Sequence, residues 1–156
     1  MIPVPRPFRP ADAAGVFAVF RTAVRDGAAT RYSEAQRMAW APLDAMPDNW
    51  PGWLSGMDTQ VAEDAGEIAG FMAATHEGYL DMAFVLPRWM GKGLAQALYD
   101  VILSHARARN LTRMTAHASH LARPFFARNG WRIDYPETVT RNGVALDRFA
   151  MSLDLS

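Results

Sequence analysis

The sequence predicts an α/β fold built on a mixed, mostly antiparallel central sheet of about seven strands with flanking helices. Three features carry that expectation. Residues 59–86 hold three β-rich runs separated only by Asp64-Ala65-Gly66 and His76-Glu77-Gly78, turn signals that make a meander the economical topology. A long helical stripe then separates the third run from a further strand, which is the pattern of a βαβ unit. Asn142-Gly143 between two more strand-like runs is a strong hairpin signal.

Taken in order, residues 4–9 are short and proline-rich, and read as an edge strand. Asp12 stands where it can cap a helix over 13–24, whose apolar stripe is Val16, Phe17, Val19, Phe20 and Val24. Gly27 ends it. Ser33 and Gln36 form a capping box for a short helix reaching Trp40, stopped by Pro42. Residues 47–56 mix proline, glycine and tryptophan and read as a loop with one helical turn. Strands follow over 59–63, 67–75 and 79–86, the last closed by Pro87. The clearest helix spans 93–109, with Leu94, Ala97, Leu98, Val101, Ile102 and His105 on one stripe and Asn110 ending it. A strand over 111–116, a short helix over 121–129 and strands over 131–138 and 144–155 complete the chain.

The 156 residues suit one compact domain, 1–156, and at 50% apolar content they can bury a core without staples. Cysteine is absent, which removes disulfides, thiolate metal sites and cysteine nucleophiles. No metal is expected. Sixteen basic side chains balance sixteen acidic ones, so no nucleic-acid groove built on bulk charge is expected. No apolar run approaches the roughly eighteen residues that would suggest a membrane span. The opening MIPVPRPFRP lacks the apolar run of a signal peptide, so a cytoplasmic location is the expectation.

The segment Arg88-Trp89-Met90-Gly91-Lys92-Gly93 joins a strand to the long helix. Gly91 and Gly93 remove side chains where a ligand would approach the backbone. The first amides of the following helix have no intrahelical partner, and the helix dipole favours anions there. Arg88 and Lys92 add positive charge. No Lys-Ser or Lys-Thr follows, so this is not a P-loop, and the glycine spacing is not that of a dinucleotide fingerprint. Two readings fit the spacing: a pyrophosphate cradle, or a tight strand-to-helix turn that needs glycine.

The segment and its surroundings resemble the GCN5-related N-acetyltransferase (GNAT) superfamily. Its signature is Gln or Arg, two variable residues, Gly, one variable residue, then Gly or Ala. The strand through Leu80-Asp81-Met82-Ala83-Phe84-Val85 and the helix opening Leu94-Ala95-Gln96 are similar to the family's flanking elements. The resemblance implies an acyl-coenzyme A donor, acetyl-CoA first of all. Backbone amides of Met90, Gly91, Lys92, Gly93, Leu94 and Ala95 would surround its pyrophosphate, with Arg88 at the start of the cradle. Backbone groups of Phe84 and Val85 would pair with the pantetheine arm in a splay between the fourth and fifth strands. The family also commonly carries Asn, Ala, Tyr and Gly-Phe at set intervals. Here these positions are Ser119, Ala122, Phe126 and Gly130-Trp131. Ser119 can still make one hydrogen bond to the arm. Phe126, where a Tyr often protonates the leaving thiolate, cannot donate a proton.

The resemblance implies direct attack by an amine, with a backbone N–H such as that of Val85 polarising the thioester carbonyl. Candidate catalytic side chains are Asp81 on the signature strand, His117 and Ser119 after the fifth strand, and Tyr32, which stands near the second helix with Glu34 and can replace the missing acid. Each has a plainer alternative: a strand-end carboxylate in water for Asp81, a helix cap for Ser119. His76 and Glu77 read as turn residues, and His105 as a satisfied helix histidine. Tyr32, Trp40, Trp50, Trp53 and Tyr79 surround the expected cleft, where Trp50 and Trp53 either pack or wall an acceptor pocket. No acidic cluster marks a polyamine or basic-peptide site, so the expected acceptor is a small-molecule amine. Rival readings are a protein or peptide amine as acceptor, O-acylation or a longer acyl chain on the same fold, and an idle coenzyme A-binding or sensing protein. A homodimer is a further expectation, because small proteins of this fold often pair.

Overall fold

A computed structural model describes residues 1–156. In chain order its elements are β1 (Arg6–Pro7), α1 (Ala13–Thr22), α2 (Glu34–Trp40), α3 (Trp50–Ser55), β2 (Asp58–Asp64), β3 (Glu67–Ala74), β4 (Tyr79–Val85), α4 (Leu94–Ala108), β5 (Arg113–Ala118), α5 (Arg123–Arg128), β6 (Arg132–Arg141) and β7 (Val144–Asp154). They form one seven-stranded sheet in the order β1-β2-β3-β4-β5-β7-β6. Every neighbouring pair is antiparallel except β4 and β5. The meander is β2-β3-β4. The hairpin is β6-β7, with Asn142 and Gly143 both at positive φ as a tight primed turn requires.

The sheet separates two apolar layers. On one face Leu94, Leu98, Tyr99 and Ile102 of α4 pack on Met72, Leu80, Met114 and Met151. On the other, Val16, Phe17 and Val19 of α1 and Leu54 of α3 pack on Val61, Phe71 and Met82. Burying each such large side chain stabilises the fold by about 1.5–3 kcal/mol. β3 is covered on both faces, so its sequence is apolar almost throughout instead of alternating. Gly70 lets α4 approach closely: a Cβ there would stand 2.9 Å from Val85 Cγ1 and 3.1 Å from Leu94 Cδ2. The bare backbone thus settles the first turn of α4 onto β3 and β4.

Several sequence expectations shift, each for a local reason. The edge strand shrinks to Arg6–Pro7, opposite Val61 and Gln60, with one further bond from Phe8 N–H to Thr59 C=O at 2.9 Å. Asp12 does not cap α1 with its side chain; its carboxylate accepts from Arg9 N–H at 2.8 Å and from both terminal nitrogens of Arg6. The first helix continues past Val24 as a π-helical turn over Ala23–Gly27. The expected loop at 47–56 contains α3, held by burial of Leu54 and by Trp50 Nε1–H donating to Ala13 C=O at 3.0 Å. Tertiary packing thus stabilises a helix too short to persist alone. The fifth strand starts two residues later than expected. Asn110 takes φ 58, and Leu111 N–H reaches back to Ala106 C=O, so the helix exit uses Leu111 and Thr112.

Candidate active site

β4 and β5 touch at only two residue pairs, Tyr79–Thr115 and Leu80–Ala116, and then part. The parting coincides with a bulge: Ala73 pairs with Met82 and Ala74 with Leu80, which leaves Asp81 as the extra residue. Beyond it the backbone of β4 is unmatched on the β5 side. Leu86 N–H donates to Ala69 C=O at 2.8 Å. Antiparallel alternation then turns the backbone groups of Phe84 toward β3 and those of Ala83 and Val85 toward the opening.

The 88–93 turn stands at the far end of β4. Gly91 and Gly93 have φ of 73° and 88°, a region that side chains disfavour, and a Cβ at Gly91 would meet nothing within 4 Å. Met90 N–H bonds Pro87 C=O at 3.2 Å and Lys92 N–H bonds Trp89 C=O at 3.4 Å. The N–H groups of Gly91, Gly93, Leu94 and Ala95 have no protein partner. They gather at the positive end of a fifteen-residue helix. Lys92 lies 5.9 Å from the Trp89 ring centroid.

A cavity of about 470 Å³ fills the space between β4 and β5 and extends under α1–α3. Leu80, Ala83 and Ala116 line its inner part, with Tyr32, Ser119 and Phe126. Tyr32 is 5% exposed. Its hydroxyl accepts from His120 N–H at 2.9 Å and donates to Asp147 C=O at 3.2 Å, with Ser119 beside it. Burial raises its pKa above the ordinary tyrosine value, partly offset by the His120 and Ser119 hydrogen bonds. Asp81, half-buried on the cavity wall, has neither an ion pair nor a hydrogen bond, and desolvation raises its pKa. His117 Nδ1 stands 2.9 Å from Tyr79 Oη. Desolvation, then Arg148, lowers the His117 pKa, so the ring is neutral near pH 7.

Comparison with known proteins decides the family. The description of an acetyltransferase (GNAT) domain matches residues 29–153. The chain belongs to the GNAT acetyltransferase family. It is 31% identical over 146 residues to the uncharacterized N-acetyltransferase YafP of Escherichia coli (strain K12), covering 94% of this chain and 92% of that protein. It superposes with a TM-score of 0.92 and 32% identity on a GCN5-related N-acetyltransferase crystal structure from Rhodopseudomonas palustris, covering 99% and 97% of the two chains. The Salmonella typhimurium putative acetyltransferase yncA, solved with its cofactor acetyl-CoA, shares the fold at a TM-score of 0.69 and 20% identity over 100% and 95% of the chains.

Within this GNAT fold, some candidate residues converge and others do not. Tyr32, Asp81, His117, Ser119, Phe84 and Phe126 all line the one cavity. Phe126 is 3% exposed and packs on Trp131 at 4.8 Å, so its ring is part of the core as well as the wall. Ser119 Oγ accepts from Ala122 N–H at 3.1 Å, which makes it a cap for the turn into α5. His117 belongs to β5 instead of following it. Arg88 turns away from the N–H cluster to pair with Glu67 at the surface, 2.9 Å away. Glu34 is exposed at the start of α2 and lies outside the cavity. Sequence reasoning missed Phe17, Phe20, Asn49 and the hairpin residues Arg141, Asp147 and Arg148, which also line it. Periodicity marks the two phenylalanines only as core, and no spacing relates the hairpin to β4.

Proposed function

We propose that this chain transfers an acetyl group from acetyl-CoA to the primary amine of a small molecule by direct attack. The observation that carries the reading is the parted pair β4 and β5, with a cavity between them and four unpaired N–H groups beyond. That donor set suits a pyrophosphate, and the open space at Gly91 suits its close approach. Gly91, Gly93, Leu94 and Ala95 would hold the phosphates, and the outward backbone groups of Ala83 and Val85 would pair with the pantetheine arm. Acetyl-CoA supplies the activated thioester. The solved yncA structure with acetyl-CoA is compatible with this assignment.

Asp81, half-buried on the cavity wall without a partner, accepts a proton from the incoming ammonium. The nitrogen then forms its bond to the acetyl carbon as the carbon–sulfur bond breaks. The nitrogen, cationic after attack, gives up its second proton, which reaches the leaving thiolate by relay through the Tyr32 hydroxyl, the part Phe126 cannot play. Tyr79 and His117 offer a neutral hydrogen-bonded pair beside this path. Phe126 also keeps a second reading open, an idle coenzyme A-binding protein. Thiol release from acetyl-CoA across a panel of primary amines separates the two. Amine-dependent release is expected; saturable acetyl-CoA binding with no release on any amine favours the idle reading.

A further inference from the structure

We propose that the acceptor is an arylalkylamine: a flat aromatic ring joined by a short aliphatic linker to a primary ammonium, with the ring on the cavity's aromatic wall and the ammonium at Asp81. This rests on the transferase reading above. The wall is a continuous row of rings contributed by four elements and the segment before α2. Trp53 lies 5.7 Å from Trp50, Trp50 lies 5.9 Å from Phe20, and Phe20 lies 5.2 Å from Phe84. Phe84 lies 6.0 Å from Trp40, and Trp40 lies 5.4 Å from Tyr32. The row runs from the rim, where Trp53 is 46% exposed, inward to the Tyr32 hydroxyl. All six rings line the same cavity. Trp50 and Phe20 are also packed in the core, but the rings present π faces and edges that suit another flat ring at similar spacing.

Charge on the wall narrows the class. Asp81 has no protein partner, while Asp147 accepts from Thr138 Oγ1 at 2.7 Å and Arg148 is tied to Glu137. Asp81 and Asp147 share the cavity lining with Arg141 and Arg148, which makes a poor site for a polyamine, since that needs several uncompensated acids. An aniline arrives already neutral and brings no cation for an unpaired carboxylate to hold. An unpaired carboxylate in the same cavity as an aromatic row suits an alkylammonium whose remainder is aromatic.

The test compares kcat/KM for phenethylamine, n-butylamine, spermidine and aniline with acetyl-CoA, alongside calorimetry of acetyl-CoA binding. Phenethylamine should exceed n-butylamine by at least about tenfold, the discrimination that added apolar contact supplies in such a pocket. Trp40→Ala should shrink that ratio. Trp53→Ala should shrink it too, and its partly exposed position makes it the milder change for folding. A ratio near one, or preference for spermidine or aniline, overturns the proposal. So does acetyl-CoA binding with no turnover of any of the four amines, which leaves the donor site standing. Absence of acetyl-CoA binding removes the transferase reading and this proposal together.

Discussion

Asp81 illustrates how a single side chain can be placed against the interest of stability. Asp81 is the extra residue of a bulge, half-buried and unpaired, so its folded pKa lies above the unfolded value. For an acid with that sign, the folded state is favoured while the group is protonated, and stability falls as pH rises through the unfolded and then the folded pKa. Asp81→Asn should therefore raise the melting temperature at pH 7 while reducing kcat/KM, a pairing that a merely structural carboxylate would not produce. As a base, Asp81 also places the acid limb of the kcat/KM profile above the ordinary aspartate range; activity should fall as pH falls through it, and the Asn variant should lose that limb. Tyr32→Phe should lower kcat by about a hundredfold or more if its hydroxyl supplies the thiolate's proton. Its high folded pKa keeps that proton in place across neutral pH, so the alkaline limb, not the acid one, should change in the variant. An unaltered alkaline limb would remove Tyr32 from the proton path.

At the scale of elements, α4 and the turn before it were legible from sequence because their signals are local. Two glycines, a helical stripe and Asn110 lie within one stretch, and each acts on its own neighbours. The bulge at Asp81 was not legible. A strict period of two from Asp81 groups Leu80 with Met82, yet Leu80 packs with the α4 layer and Met82 with the α1 layer, because the extra residue resets the phase. α3 was legible only as a helical turn within a loop: Pro51 suits its first turn, Gly52 argues against extending it, and packing of Leu54 and Trp50 sustains it. The approach of Tyr32 to Ser119 and His120 joins residues far apart in the chain, and no sequence pattern encodes such a contact. Gly70 supplies a test of the element packing. Gly70→Val should displace the first turn of α4 and weaken acetyl-CoA binding, with a loss of about 1–3 kcal/mol of stability from overpacking. Unchanged affinity in the folded variant would show that the close approach does not set the N–H cluster.

For the whole molecule, the sheet order places its only parallel pair near the centre, so the parted strands are flanked by antiparallel ladders on both sides. The opening is thus built into a well-supported sheet. One remote contact anchors the other end: the Asp12 carboxylate takes two nitrogens of Arg6 and the Arg9 N–H, which hold its pKa below the usual value. A depressed folded pKa contributes stability above the unfolded value that is lost as pH falls through the folded one. Asp12→Asn should cost on the order of 1–2 kcal/mol at pH 7, with the difference from the parent disappearing in acid, as followed by urea melts across pH. The central claim, that the 88–93 turn and the start of α4 hold the donor's phosphates, meets its most direct test in calorimetry of acetyl-CoA with the parent and with Gly91→Asp. The parent should bind saturably and the variant, with a carboxylate set in the cluster of N–H groups, should not. Equal affinity in two folded proteins, or no binding by the parent, would contradict it.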